Sequence, residues 1–287
     1  MRLDCDSSTP IQVFVMVHVA AKGVPARLAI LLSLLLTPCA MAQTAPQTVV
    51  KQLAPSGTLR AAINFGNSVL AQRPKGPGDP QGVSGELARE LAKRLGVPIS
   101  YATFDQAGKV TDALKGGVWD IAFLAIDPVR AAEIDFTAPY VLIEGTYLVP
   151  ASSPLRAVAD VDKEGVRIAA NKGSAYDLYL TRTLKHAKLV RLEGSPSPMD
   201  VMLRDGLEAT AGVRQPLVAY AKANPKVRVM DGRFMAIEQA MATPKGRDQG
   251  AAYLKAFVEE MKATGFVAKA LAASGQNEAT VAPAAAK

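Results

Sequence analysis

Trp119-Asp-Ile-Ala-Phe-Leu-Ala-Ile-Asp-Pro-Val-Arg130, continuing Ala131-Ala-Glu-Ile-Asp-Phe-Thr-Ala-Pro-Tyr140, is the stretch on which the fold turns. Residues 119–125 form a mostly apolar run, the pattern of a strand covered on both faces in a parallel sheet. Trp119 reads as core. Asp127 then reads as a helix N-cap and Pro128 as the first helical residue, which places Arg130 in the first turn. A cation at that end opposes the helix dipole. The guanidinium is therefore expected to serve another purpose, either an anion or a surface pair with Glu133 or Asp135.

Working outward, strand and helix signals alternate on both sides of this stretch. Residues 59–65 are an apolar run bounded by Gly57 and Gly66 and read as a strand. Residues 73–82 are a Gly- and Pro-rich loop. Ser84 reads as the N-cap of a helix whose buried face is Leu87, Ala88, Leu91, Ala92 and Leu95, closed by Gly96 and Pro98. Residues 99–104 read as a strand and 109–115 as a short helix. Beyond residue 150 the alternation repeats, with strands over 166–170, 188–192, 207–213 and 227–230. Helices are expected over 175–184, 198–204, 216–223 and 248–263. Such alternation implies α/β layers around a mainly parallel sheet, here in two lobes. In these sheets ligands gather beyond the carboxyl ends of strands, near helix N-termini.

The stretch 119–140 resembles the bacterial extracellular solute-binding proteins of family 3, the periplasmic receptors of polar amino-acid ABC transporters. Other segments resemble the family in the same order. They are residues 59–62, 85–96, Lys172-Gly-Ser174, Asp205-Gly206 with Pro216, and Gln239-Ala-Met-Ala-Thr-Pro-Lys-Gly246. The resemblance implies a periplasmic-binding-protein-like type II fold: two α/β lobes, a hinge of two crossing strands near 141–145 and 236–240, and a ligand cleft between the lobes. Lobe 1 is expected to be discontinuous, 56–142 with 240–276, and lobe 2 to span 143–239. Residues 43–55 read as a polar linker and 277–287 as a disordered tail.

The resemblance also nominates site residues. In the family the Arg matching Arg130 forks the ligand α-carboxylate, a bidentate geometry that Lys does not supply. Gly173 and Ser174 open a second helix, where the hydroxyl and nearby N–H groups would hold the same carboxylate; the alternative is a plain N-cap. Asn64, Phe65 and Asn67 follow the first strand, where the family places polar contacts and a stacking aromatic; Phe65 fits the core equally well. Two departures are informative. Asp127 stands where the family has Thr. Arg214, in Val213-Arg-Gln-Pro216, stands where the family has the Asp that holds an α-ammonium. An Arg facing the cleft would repel an ammonium, pointing to an organic acid, unless Arg214 faces solvent. Glu144, near the first hinge crossing, could bind an amine, orient Arg214 or simply be exposed.

The amino-terminal 42 residues read as a secretory signal: Lys22 and Arg27, the nine-residue run 28–36, then Ala40-Met-Ala42. Met16 is a candidate start. Cleavage would remove both cysteines, Cys5 and Cys39, and leave no span for a membrane. It would also take Arg2, Lys22, Arg27, Asp4 and Asp6, reducing 33 Lys and Arg against 26 Asp and Glu (+7) to 30 against 24 (+6). The basic residues are dispersed, which does not suit nucleic acid. The expectation is a monomeric periplasmic receptor, without cofactor or metal, that passes a carboxylate-bearing solute to an inner-membrane ABC permease. The alternatives are a sensor partner of a membrane receptor and a dehydratase-like enzyme with Glu144 as its acid or base. No nucleophile–His–Asp set or phosphate loop is visible.

Overall fold

The computed structural model describes residues 45–194 and 197–286; the expected export signal lies outside them. Two long antiparallel strands form the frame, β4 (Ile134–Pro150) and β9 (Met235–Pro244), paired from Ile134 with Pro244 to Gly145 with Met235. Their register slips on both sides of Pro139, whose nitrogen has no hydrogen for the ladder. Both strands run through a single sheet. Beyond β9 lie β3 (Ile121–Ala125), β1 (Leu59–Asn64) and β2 (Ile99–Phe104). Beyond β4 lie β7 (Ala209–Val213), β5 (Arg167–Asn171) and β6 (Lys188–Leu192). The outer strands on each side are parallel to one another, whereas β9 on β3 and β4 on β7 are antiparallel. The sheet is thus mixed rather than mainly parallel, because the two crossing strands oppose the direction of their neighbours.

Each half of the sheet is covered on both faces. Along β3, Ile121, Phe123 and Ala125 enter one core while Ala122 and Leu124 enter another, as the two-residue period of a strand requires. The first core is roofed by α2 (Val83–Leu95), α7 (Asp248–Ala263) and α8 (Phe266–Ala273) through Leu87, Leu91, Leu254, Phe257 and Leu271. Helix α2 begins one residue before Ser84, which is buried inside it instead of capping it; Gly96 closes it at φ 66°. The second core, under α3 (Ala107–Asp112), holds Val110 and Trp119, whose indole N–H donates to the Val110 carbonyl at 2.9 Å. In the other half, α4 (Ala175–Thr183) packs Leu180 beside Ile168 and Tyr147 on one face. On the opposite face α5 (Pro198–Asp205) and α6 (Arg214–Ala223) bring Met202 and Leu217 to Leu148. The short strand β8 (Val227–Val229) pairs with the end of β4.

Two expectations are corrected. Within the segment read as a linker, Gln47–Leu53 is a helix, α1, burying Val49 and Leu53. Leu53 packs so tightly on Gly250 of α7 that a Cβ there would lie 2.8 Å from Leu53 Cδ2. The spacing Val49, Val50, Leu53 was its only signal, and seven residues make a helix only when docked. Residues 277–286 of the expected tail are likewise ordered. Thr280–Val281 forms β10 against Leu142 and Val141 of β4, Ala282 is buried, and Lys262 donates to the Pro283 carbonyl at 2.8 Å. An alanine-rich tail lacks intrinsic pattern; it is held by ladder bonds to a strand edge. Truncation after Glu278 is therefore expected to lower the thermal midpoint, by roughly 2–4 °C per kcal/mol lost, as read by circular dichroism. A truly disordered tail would leave the midpoint unchanged.

Candidate functional site

Between the two halves lies a cavity of about 130 Å³, several times the space of a single water. Its wall combines Asn64, Asn67, Ser84, Gln106, Phe123 and Arg130 from the first half with Asn171, Ser174, Tyr176, Met199 and Thr210 from the second. Gln239 of β9 and the β7 segment 211–213 close it at the crossing strands. As expected of such sheets, several of these residues follow strand carboxyl ends or open helices: Asn67 after β1, Gln106 after β2, and Ser174 at α4.

Among the described residues, Arg130 is the only Lys or Arg in the wall. It is 4% exposed. It sits in a short 3-10 turn, Arg130–Ala132, rather than in an α-helix. One terminal nitrogen donates to the Ala125 carbonyl and the other to the Gly173 carbonyl across the cleft, each at 2.8 Å, while Nε has no partner. The described residues thus give it no carboxylate, so the surface pair with Glu133 or Asp135 is not formed. Burial pushes its pKa down to about 10, with the nearby Asp127 charge opposing the shift; at neutral pH the guanidinium remains charged.

The remaining nominated residues divide. Ser174 lines the cavity and is also an N-cap, its Oγ accepting the Asp177 N–H at 3.1 Å. Asn64 and Asn67 line the wall, but Phe65 does not; its ring carries the Arg73 guanidinium at 4.3 Å. The Gly173 N–H, expected to face the carboxylate, instead donates to Asp177 Oδ2 at 2.8 Å, and the Ser174 N–H donates to the Asn171 carbonyl. Asp127 is outside the wall. Its Oδ1 accepts the Val129 N–H, and its Oδ2 takes Arg182 of the second half at 2.8 Å. It is a bolt between lobes rather than a ligand contact.

Arg214 is also corrected. It opens α6 and turns away from the cavity, donating Nε–H to Glu144 Oε2 at 2.6 Å and reaching the Gly232 carbonyl. Arg233 adds a 3.1 Å contact to Glu144 Oε1. The Arg214 hydrogen bond is the main reason the Glu144 carboxyl is held below its usual range. A general acid or base working near neutral pH would need the opposite shift, so Glu144 is unsuited to the catalytic role considered for it.

Residues 71–273 match the model of the bacterial extracellular solute-binding proteins, family 3. The chain belongs to this family. No functionally curated protein matches it by sequence. Among solved structures it is similar to the solute receptor for L-cysteine of Neisseria gonorrhoeae, with TM-score 0.68, 23% identity, and coverage of 78% of this chain and 92% of that one. It is also similar to an amino-acid ABC transporter substrate-binding protein from Streptococcus pneumoniae bound to L-arginine, with TM-score 0.67, 19% identity, and coverage of 82% and 99%. A third is an ancestral amino-acid-binding protein described as a precursor of cyclohexadienyl dehydratase, with TM-score 0.65, 24% identity, and coverage of 78% and 98%. The fold is that of the type II periplasmic binding proteins.

Several wall residues of this solute-binding protein escaped the sequence reading: Ser84, Gln106, Asn171, Tyr176, Met199, Thr210 and Gln239. Asn171 ends β5 and could have been found by the strand-end rule. Thr210 and Gln239 lie inside strands, where nothing local distinguishes a cavity face from a core face. Among the described residues no helix is long and apolar enough to cross a membrane, and no acidic, His or Cys group is placed to hold a metal. If the Asp127–Arg182 bolt forms only on closure, Arg182→Ala should weaken ligand binding roughly 5–30-fold by leaving Asp127 short of a partner. The midpoint of the unliganded protein should barely move. Titration calorimetry checks this, and equal affinities would assign the pair to the fold alone.

Proposed function

We propose that this protein is a periplasmic receptor, exported by its amino-terminal segment, that binds a small carboxylate-bearing solute between its lobes and delivers it to an ABC permease. One observation carries the reading: a buried Arg130 whose described partners are all neutral, standing in the wall of an interlobe cavity. A buried cation without a counter-charge is costly, and a ligand carboxylate would supply the charge and meet the unpartnered Nε–H. Family membership and the amino-acid-binding neighbours support the receptor class. Closure would be hinge motion in the paired segments of β4 and β9, driven by contacts from both lobes.

The dehydratase reading gains one observation, the ancestral neighbour named as a dehydratase precursor. It is disfavoured by Glu144, locked between two arginines outside the cavity. The test is a thermal-shift panel of amino acids and organic acids on residues 43–287, since a ligand selective for the folded state raises its midpoint. Carboxylates are expected to register, and each hit should be recovered chemically unchanged after incubation. A panel in which only uncharged solutes register would rule the reading out.

A further inference from the structure

The carboxylates surrounding the cavity show a common feature. Asp105 is the only acid among the described residues of its wall, and it is half-buried and taken by Lys109 at 2.9 Å. Asp177, directly beneath the Gly173–Ser174 turn, is 3% exposed and held by Arg191 Nε at 2.8 Å and the Gly173 N–H at 2.8 Å. Asp127 is held by Arg182, and Glu144 by Arg214 and Arg233. Thus each of these acids already faces a cation of the protein. The other polar side chains of the wall are amides and hydroxyls. Among the described residues of the wall, Arg130 is left as the single uncompensated charge.

Two further groups define what else the ligand must offer. The side-chain oxygens of Asn67, from the first half, and Asn171, from the second, are buried without a hydrogen-bond partner, and both residues line the cavity. A buried acceptor without a donor costs stability, so the ligand is expected to bring a donor. That donor gains nothing from being charged. An ammonium would find acceptors here but no counter-charge, and a zwitterion beside Arg130 would leave one net positive charge enclosed. A monoanion leaves none.

We propose that the preferred ligand is a monoanionic carboxylate whose second polar group is an uncharged hydrogen-bond donor, a small hydroxy acid in place of an amino acid. This rests on the reading of Arg130 as the carboxylate partner. In it, Arg130 holds the carboxylate, the Ser174 hydroxyl supplements it, and the ligand hydroxyl donates to an Asn67 or Asn171 oxygen. Arg214 contributes indirectly, by occupying Glu144.

The test uses matched series sharing a side chain: lactate and alanine, 2-hydroxyisocaproate and leucine, phenyllactate and phenylalanine. Each is titrated calorimetrically into residues 43–287 and into Arg130→Ala. The hydroxy acid of the best-fitting pair should bind roughly tenfold or more tightly than its amino acid, and both should lose binding in Arg130→Ala. An amino acid that binds as tightly as its hydroxy acid, while still depending on Arg130, overturns the hydroxy-acid assignment and leaves the carboxylate receptor standing. Carboxylate binding that ignores Arg130, or none in any series, overturns both. Asn171→Asp and, separately, Asn67→Asp place a carboxylate at the unpartnered oxygens. In whichever variant folds, as judged by circular dichroism, the preference should move toward the amino acid. If the preference is unmoved in the folded variants, the charge explanation is wrong.

Discussion

Arg130→Ala is expected to cost this protein its ligand and little of its fold. The guanidinium is 4% exposed and bonded only to the carbonyls of Ala125 and Gly173. Burial is the main reason its pKa falls to about 10, so the unliganded protein holds the charge at an energetic cost. Removing it relieves that cost while opening a small void and freeing two carbonyls, so the unliganded midpoint should change little. The liganded state is different. Truncating one partner of a buried charge pair costs about 3–5 kcal/mol, which corresponds to an affinity loss of roughly 10²–10³-fold or more. Arg130→Lys should recover only part of it. An ammonium keeps the charge but cannot span two carbonyls and also present a planar pair of donors. Calorimetric titration with thermal denaturation reads both quantities. A large fall in midpoint with unchanged affinity would make Arg130 a structural residue.

Gly108→Ala should separate closure from folding. Gly108 lies in α3 with an ordinary helical backbone, so alanine is locally favoured there by up to about 1 kcal/mol. Across the cleft, however, its Cβ would lie 2.8 Å from the Lys172 carbonyl oxygen and 3.3 Å from Gly173 Cα. Both obstacles are backbone of the opposite lobe, and the lobes must part to admit the methyl. Parting them lengthens the Arg130 bond to Gly173 and the Gln106 bond to the Gly194 carbonyl, now at 2.8 and 2.5 Å. The expected result is an unliganded midpoint unchanged or raised, with affinity reduced roughly tenfold or more. Gly173→Ala meets Gly108 Cα at 2.7 Å but is also strained at φ 70°, so it does not isolate the effect. Small-angle scattering with saturating ligand should show a less compact Gly108→Ala complex. Compaction equal to wild type would remove the glycine contact from the closing mechanism.

How much of this was legible beforehand follows from the range of the interactions. Strands β2 and β6 and helix α7 stand out because apolar periodicity and Gly or Pro punctuation act within a few residues. Gly96 and Pro98 mark the end of α2 for the same reason. Arg130 stood out because its charge conflicts with an expected helix start, a conflict readable in four residues, although the turn it opens is 3-10 rather than α-helical. Arg214 was misplaced because its position before Pro216 reveals a helix start but not the direction of its side chain. That direction is set by Glu144, 70 residues earlier in the chain, and by the Gly232 carbonyl. Asp127 and Arg182, 55 residues apart, were hidden in the same way. Helix α1 and strand β10 were missed because neither is stable without the surface on which it docks. Arg214 does not line the cavity; it occupies Glu144 instead.

The most direct measurement is a crystal structure of residues 43–287 with the tightest-binding carboxylate of the panel. The carboxylate is predicted to lie between the lobes with two oxygens at about 2.7–2.9 Å from Arg130 nitrogens, one of them Nε, and the Ser174 hydroxyl donating to it. A ligand bound in the cleft with Arg130 still facing only the Ala125 and Gly173 carbonyls, its carboxylate held elsewhere, would contradict the assignment of that site.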